Sequence, residues 1–92
     1  MKYMTDANNA GIAKQLREKG VDCDTVHKLM KGNEESQVKI SDPAIFKFLL
    51  ERKGQITLIT NDNLLAEYCE EFDIPCIRPA DAVFRLIQQG QK

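Results

Sequence analysis

Residues 55–60 read Gln-Ile-Thr-Leu-Ile-Thr, the strongest strand pattern in this 92-residue chain. The run is β-branched and nearly continuous in apolar side chains, which is typical of a central parallel strand covered on both faces. Asn61, Asp62 and Asn63 follow at once and end the strand. The stretch therefore predicts a buried parallel sheet with polar side chains where its central strand ends.

Short strands and amphipathic helices alternate towards the N-terminus. We expect a first strand over residues 2–5, then a helix that runs to Lys19 and is stopped by Gly20. Residues 21–26 alternate apolar and polar side chains, which indicates a strand covered mainly on one side. That pattern predicts an edge strand.

The segment between the edge strand and the central strand contains one clear helix. Residues 27–40 have no clean period and include Gly32-Asn33, so they predict a long exposed connection with at most one irregular turn. A helix then opens at Asp42-Pro43, with Asp42 as the N-cap carboxylate and proline at the first helical position. Gly54 is expected to close it.

After the central strand the same alternation continues. We expect a short strand over residues 74–77 at a sheet edge, because Pro75 cannot donate to a strand ladder. Helices are predicted on either side of it, the second over residues 80–89. Their expected inward-facing side chains are Leu65, Tyr68, Cys69 and Phe72 in the first helix and Val83, Phe84 and Ile87 in the second.

This order of elements predicts an α/β fold. Right-handed crossovers turn it into a small parallel four-stranded sheet, of strand order 2-1-3-4, sandwiched by helices. The length of the chain predicts one domain over residues 1–92. Open sheets of this kind bind ligands at the carboxyl ends of the strands beside the topological switch, here between strands one and three.

Composition excludes several classes of protein. The hydrophobic share of 42% and charged share of 29% belong to a folded globule, and the apolar runs are far too short to span a membrane. A net charge of −1 gives no global attraction to nucleic acid. The lone His27 and three cysteines fit no zinc pattern, so we expect reduced core thiols, and without a signal-like start we expect a cytoplasmic protein.

Three aspartates are placed to meet at the switch point. Asp6 follows strand one, Asp62 follows strand three, and Asp42 starts a helix on the same rim. Each could simply cap a helix or lie in a loop. Together they predict a three-carboxylate site for Mg²⁺ or Mn²⁺, hard ions that prefer oxygen ligands and activate water for phosphodiester hydrolysis. Lys28, Lys31 and Lys39 are candidate phosphate contacts at the rim, although a solvated loop is the more common role of such lysines.

Four segments resemble the PIN-like nuclease superfamily, in particular its short uncharacterised branch. They are Met1–Asn8, Gln15–Cys23, Ser41–Ile45 and Ile56–Asp62, in the order of the superfamily and over nearly the whole chain. In that superfamily an acid after strand one, a helix-start acid and the acid of a Thr-x-Asp turn bind divalent metal for RNA hydrolysis. The resemblance places Asp6, Asp42 and Asp62 in these roles.

The chain departs from that superfamily at two positions. Ala7 stands where many relatives carry Glu, and Leu64 stands where many have a further acid. Asp81 is a candidate replacement for the missing fourth ligand. Neutral oxygens for metal or substrate are available from Asn8, Asn61 and Asn63.

The sequence thus predicts a metal-dependent ribonuclease acting as a toxin or RNA-processing factor. Its expected partners are an RNA substrate and, from the resemblance, a small antitoxin-like protein. The alternative is a catalytically weak or inactive PIN-like module that binds RNA or protein, which the missing acid favours. A response-regulator-like receiver is disfavoured because its paired acids and late lysine are absent. A homodimer is also expected, with Phe46, Leu50 and Phe84 as candidate apolar surface.

Overall fold

The computed structural model describes residues 2–33, 35 and 38–88. Its strands are β1 (Lys2–Thr5), β2 (Cys23–Thr25), β3 (Ile56–Ile59) and β4 (Cys76–Ile77). Its α-helices are α1 (Ala10–Glu18), α2 (Val26–Lys31), α3 (Asp42–Glu51), α4 (Asn63–Glu71) and α5 (Pro79–Val83). A 3₁₀ turn at Ala7–Asn9 precedes α1, and a π-helical turn at Phe84–Gln88 continues α5.

All four strands are parallel and lie in the order β2-β1-β3-β4. The predicted α/β class and strand order are therefore confirmed. Thr5 at the end of β1 pairs with Thr25 of β2 on one side and with Ile59 of β3 on the other. The carboxyl ends of these three strands consequently lie side by side, at the switch point from which the chain crosses in both directions.

The central strand β3 is buried along its whole length, as predicted. Successive side chains point to opposite faces of the sheet. Leu58 packs in a cluster with residues of α2, α3 and α4, whereas Ile59 packs in a second cluster with residues of α1 and α5. Helices thus cover both faces, which is why the strand carries no polar alternation.

The exposed connection predicted for residues 27–40 is wrong at its start. Val26 and the five residues after it form α2. The Thr25 hydroxyl caps this helix by accepting the Lys28 N–H at 3.2 Å. Val26, the first residue of α2, is 1% exposed because its side chain packs in the core cluster that contains Leu58. Residues 38–40, which precede α3, have no regular secondary structure, and residues 34, 36 and 37 lie outside the described part of the chain.

The predicted cap of α3 is also corrected. Ser41 is the N-cap, and its hydroxyl accepts the Ala44 N–H at 3.3 Å. Asp42 is the first helical residue instead, where a carboxylate still interacts favourably with the positive end of the helix. Gly20 and Gly54, predicted to stop helices, both have φ of 85° in the left-handed region.

Three aromatic residues predicted to face inward are exposed. Tyr68 and Phe72 of α4 are 39% and 43% exposed, because Leu65 and Cys69 occupy the core-facing stripe. The two exposed rings contact Phe46 of α3, Tyr68 in a tilted arrangement and Phe72 edge-on. Phe84 is 51% exposed.

The exposure of Phe84 follows from the shape of the last helix. Its regular part ends at Val83, and the wider π-helical turn changes the angular spacing that the prediction assumed. Ile87 is buried as predicted, while Gln89 of the expected helix lies outside the described residues. None of the described helices is long and apolar enough to cross a bilayer.

Candidate functional site

A cleft of about 410 Å³ opens where β1 and β3 end. Asp6, Asp42 and Asp62 all line it. They come from three separate parts of the chain: Asp6 follows β1, Asp42 begins α3, and Asp62 caps α4. The structure therefore places the three predicted acids around one cavity.

Asp6 is held in place by two hydrogen bonds. The Thr60 hydroxyl donates to its Oδ2 at 2.5 Å, and the Asn9 amide Nδ2 donates to its Oδ1 at 2.6 Å. Thr60 is fully buried and immediately follows β3. Because each carboxylate oxygen of Asp6 already has a donor, its orientation is set by the protein.

The same hydroxyl connects Asp6 with Asp62. The Asp62 backbone N–H donates to Thr60 Oγ1 at 3.0 Å. Asp62 Oδ1 accepts the N–H groups of Leu64 and Leu65 at 2.9 and 3.1 Å, so the side chain is a real helix cap. Its Oδ2 has no hydrogen-bond partner among the described residues, and the side chain is exposed. One oxygen of Asp62 is thus structural, and the other is available to a ligand.

Asp42 is half-buried and differs from the other two acids. No hydrogen bond to its carboxylate occurs within the described part of the chain, because Ser41 performs the capping. Its two oxygens are consequently free to meet a cation or a donor from a ligand.

Two positively charged or protonatable residues share the cleft with these acids. His27 and Lys39 both line it. His27 Nε2 lies 2.6 Å from the Val38 carbonyl oxygen, and since a carbonyl can only accept, this nitrogen carries the proton. Lys39 is one of the lysines that the sequence offers as phosphate contacts, whereas His27 has no role in the predicted site because residues 27–40 are expected to form an exposed connection. Thr25 before an apolar i, i+3, i+4 set at Val26, Leu29 and Met30 was the signal for the helix that carries His27.

The remaining predicted site residues are dispersed. Asn8 lines the cleft with Ala7, but Asn61 does not, and Asn63 Oδ1 accepts a 2.8 Å hydrogen bond from Arg78. Asp81 and Lys28 line two other depressions. Asp81 therefore does not stand in the cleft as a fourth acid.

The acids of the cleft match a divalent cation in donor chemistry but not in spacing. Their chemistry suits Mg²⁺ or Mn²⁺, because the three acids supply oxygen ligands only. Their spacing does not: within residues 2–33, 35 and 38–88, no three His, Cys, Asp or Glu side chains are grouped closely enough to hold one ion. The arrangement is that of three acids around a shared cavity rather than a formed ligand set.

Comparisons with protein-family models, with curated proteins and with solved structures find no match to this chain.

Proposed function

We propose that the acidic cleft hydrolyses RNA phosphodiester bonds with the help of Mg²⁺ or Mn²⁺. The observation that carries this proposal is that Asp6, Asp42 and Asp62, from three distant segments, all line one cavity. Caps alone would not require that the three open onto the same space. The cavity lies at the switch point of the sheet, where α/β folds bind their ligands.

The role of each residue in this reaction would follow from the contacts that it already makes. Asp6 is pre-oriented by Thr60 and Asn9, whereas Asp42 and the Oδ2 atom of Asp62 are the oxygens available to a cation. A bound divalent ion would supply an activated water and neutralise the charge that develops on the phosphate. Lys39 lines the same cavity and would attract the phosphate oxygens.

A cleavage assay with fluorescently labelled single-stranded RNA in Mn²⁺, Mg²⁺ and EDTA tests this proposal. Cleavage should require the metal and should fall at least about 100-fold in Asp6→Asn or Asp42→Asn, as expected when a charged group of a catalytic site is lost. Asp81→Asn, purified in the same way, is the matched control because Asp81 lies outside the cleft. Equal cleavage by Asp6→Asn and Asp81→Asn would identify a contaminating nuclease and contradict the proposal.

A second candidate function is a binding module without catalysis. The specific observation in its favour is that Asp6 and Asp62 already use carboxylate oxygens for internal hydrogen bonds, and the described residues contain no three-acid ligand group. This candidate predicts RNA binding that is unchanged by EDTA and by Asp42→Asn, with no cleavage in any metal. Binding measured by fluorescence anisotropy beside the cleavage assay separates the two functions.

A further inference from the structure

A second depression, of about 400 Å³, is lined by a cysteine and by two arginines. Cys76 of β4 is half-buried there, beside Arg78 and Arg85. Glu70 and Asp81 line the depression as well, so its two arginines are matched by two acids. Because Cys76 lines this depression and is half-buried, its side chain is more accessible to small solutes than a core thiol.

Cys69 of α4 lies in the core and is 0% exposed. The connection between the two elements is short, and the Ile74 N–H donates to the Cys69 carbonyl oxygen at 2.8 Å. Ile74 and Cys76 are two residues apart in an extended segment, so their side chains point to the same side. Ile74 belongs to the core cluster that contains Cys69, Cys76 packs against that cluster, and the two thiols are hydrogen-bonded to each other.

The three cysteine thiols differ in pKa. A hydrogen bond from the Cys69 thiol lowers the pKa of Cys76; burial and the Asp6 charge oppose this, and the Arg78 guanidinium assists it. The same hydrogen bond and burial raise the pKa of Cys69. Burial raises the pKa of Cys23 to about 11. Cys76 is consequently the thiol most readily ionised, and Cys69 stays protonated beside it.

We propose that Cys76 is a peroxide-oxidisable thiol and that Cys69 is its resolving cysteine, so that oxidation ends in an intrachain Cys69–Cys76 disulfide. This proposal does not depend on the nuclease function. The oxidant is hydrogen peroxide or an organic hydroperoxide. The product would tie the last turns of α4 to the edge strand β4.

The reaction has two steps. The Cys76 thiolate attacks one peroxide oxygen, the O–O bond breaks, and hydroxide leaves, so the sulfur is oxidised to a sulfenic acid while the peroxide is reduced. The Cys69 sulfur then attacks Cys76 Sγ: the S–S bond forms, the S–OH bond breaks, and the hydroxide departs as water with the Cys69 proton. Overall, two thiols and one hydrogen peroxide yield one disulfide and two waters.

Peptide mapping of the folded wild-type protein after peroxide treatment tests the proposal. Free thiols are alkylated, and the digest is analysed by mass spectrometry without reduction. We expect a Cys69–Cys76 disulfide, with Cys23 alkylated as a thiol. Before oxidation, Cys76 should react with iodoacetamide at least about tenfold faster than Cys23, because Cys76 is only half-buried and has a lowered pKa, whereas Cys23 is 1% exposed and has a raised one.

Single substitutions assign the order of events. Cys69→Ser should form a persistent sulfenic acid at Cys76 that dimedone traps, whereas Cys76→Ser should form neither product. Cys23→Ser is the matched control and should form the disulfide at the wild-type rate. Circular dichroism checks that each variant is folded, and Cys69→Ala replaces Cys69→Ser if the buried hydroxyl prevents folding.

Three results would overturn the proposal. One is an intermolecular disulfide, seen as a dimer on a non-reducing gel. Another is dimedone labelling at Cys23 or Cys69 in place of Cys76. The third is equal oxidation of all three cysteines in the folded wild type.

Discussion

The Thr60 hydroxyl donates a 2.5 Å hydrogen bond to Asp6 Oδ2, joining residues 54 positions apart where the two central strands end. The same oxygen accepts the Asp62 N–H. Thr60 thus orients one acid of the cleft and fixes the backbone of another. Because Thr60 acts through these two acids, we regard it as a positioning residue.

Thr60→Val should lower both stability and the function of the cleft. The substitution leaves the Asp62 N–H and Asp6 Oδ2 without this partner, a loss of about 1–3 kcal/mol in the free energy of unfolding. Thr60→Ser is the matched control, since it keeps the hydroxyl and loses only a methyl group. Urea denaturation should show the larger loss in Thr60→Val. If Thr60→Ser is the less stable variant, the hydrogen bond is not the main contribution of this residue.

Asp62→Asn should separate capping from metal binding. Asparagine caps helices about as well as aspartate, so the melting temperature without metal should change little. The lost negative charge should weaken Mn²⁺ binding sharply. Calorimetric titration of Mn²⁺ into both proteins, with melting curves recorded without metal, measures the two effects. Equal or absent heats for wild type and variant would contradict a metal site at Asp62.

The neighbouring residues Ser41 and Asp42 should respond in opposite ways. Ser41→Ala removes the cap of α3 and should cost about 1 kcal/mol of stability without affecting metal binding. Asp42→Asn should cost less stability, because its carboxylate caps nothing, yet it should reduce RNA cleavage. Chemical denaturation and the cleavage assay on both variants test this. A larger loss of stability in Asp42→Asn than in Ser41→Ala would indicate that Asp42, and not Ser41, caps α3.

The edge strand should make stability depend on pH through Asp24. Burial raises the pKa of Asp24, but the Lys2 hydrogen bond and charge, together with those of Arg17, outweigh burial and lower it below 3.8. A carboxyl whose folded pKa is lowered contributes stability above its unfolded pKa, and that contribution is lost as pH falls through the folded value. Asp24→Asn should therefore cost about 1 kcal/mol at pH 7, because two partly buried ion pairs are lost.

The difference between wild type and Asp24→Asn should shrink below about pH 4. The contribution of Lys2 to stability has the opposite pH dependence. Hydrogen bonds to Asp22 and Asp24 raise the pKa of Lys2, so its contribution is lost only as pH rises through that raised value. Thermal melts from pH 2.5 to 7 provide the measurement. A difference that stays constant down to pH 2.5 would show that charge is not the cause.

The homodimer remains a prediction. Of the three residues expected to supply its surface, Leu50 and Phe84 are 38% and 51% exposed, whereas Phe46 is half-buried under the rings of Tyr68 and Phe72. Light scattering should show a mass twice that of the chain, and Phe84→Glu should shift it towards the monomer because a charge opposes apolar association. A monomer mass at every concentration would contradict the expectation.

Local pattern was sufficient for the sheet. The apolar run at residues 55–60 and the alternation of strands with helices predicted the parallel order, because a strand covered on both faces must be apolar along its length. Thr25 and the apolar spacing after it also indicate the start of α2, although the charged residues that follow make the pattern harder to recognise. Position after a strand was enough to predict that Asp6 and Asp62 would reach one rim.

Tertiary structure alone decided which neighbour performs which task. Ser41 and Asp42 can both cap a helix, and only the backbone angle at which the chain enters α3 selects Ser41. Likewise, the bond from Thr60 to Asp6 and the proximity of Cys69 to Cys76 depend on how separate elements pack against each other. Periodicity records which face of an element is buried, but such pairings are set by the distances between elements, which no single segment encodes.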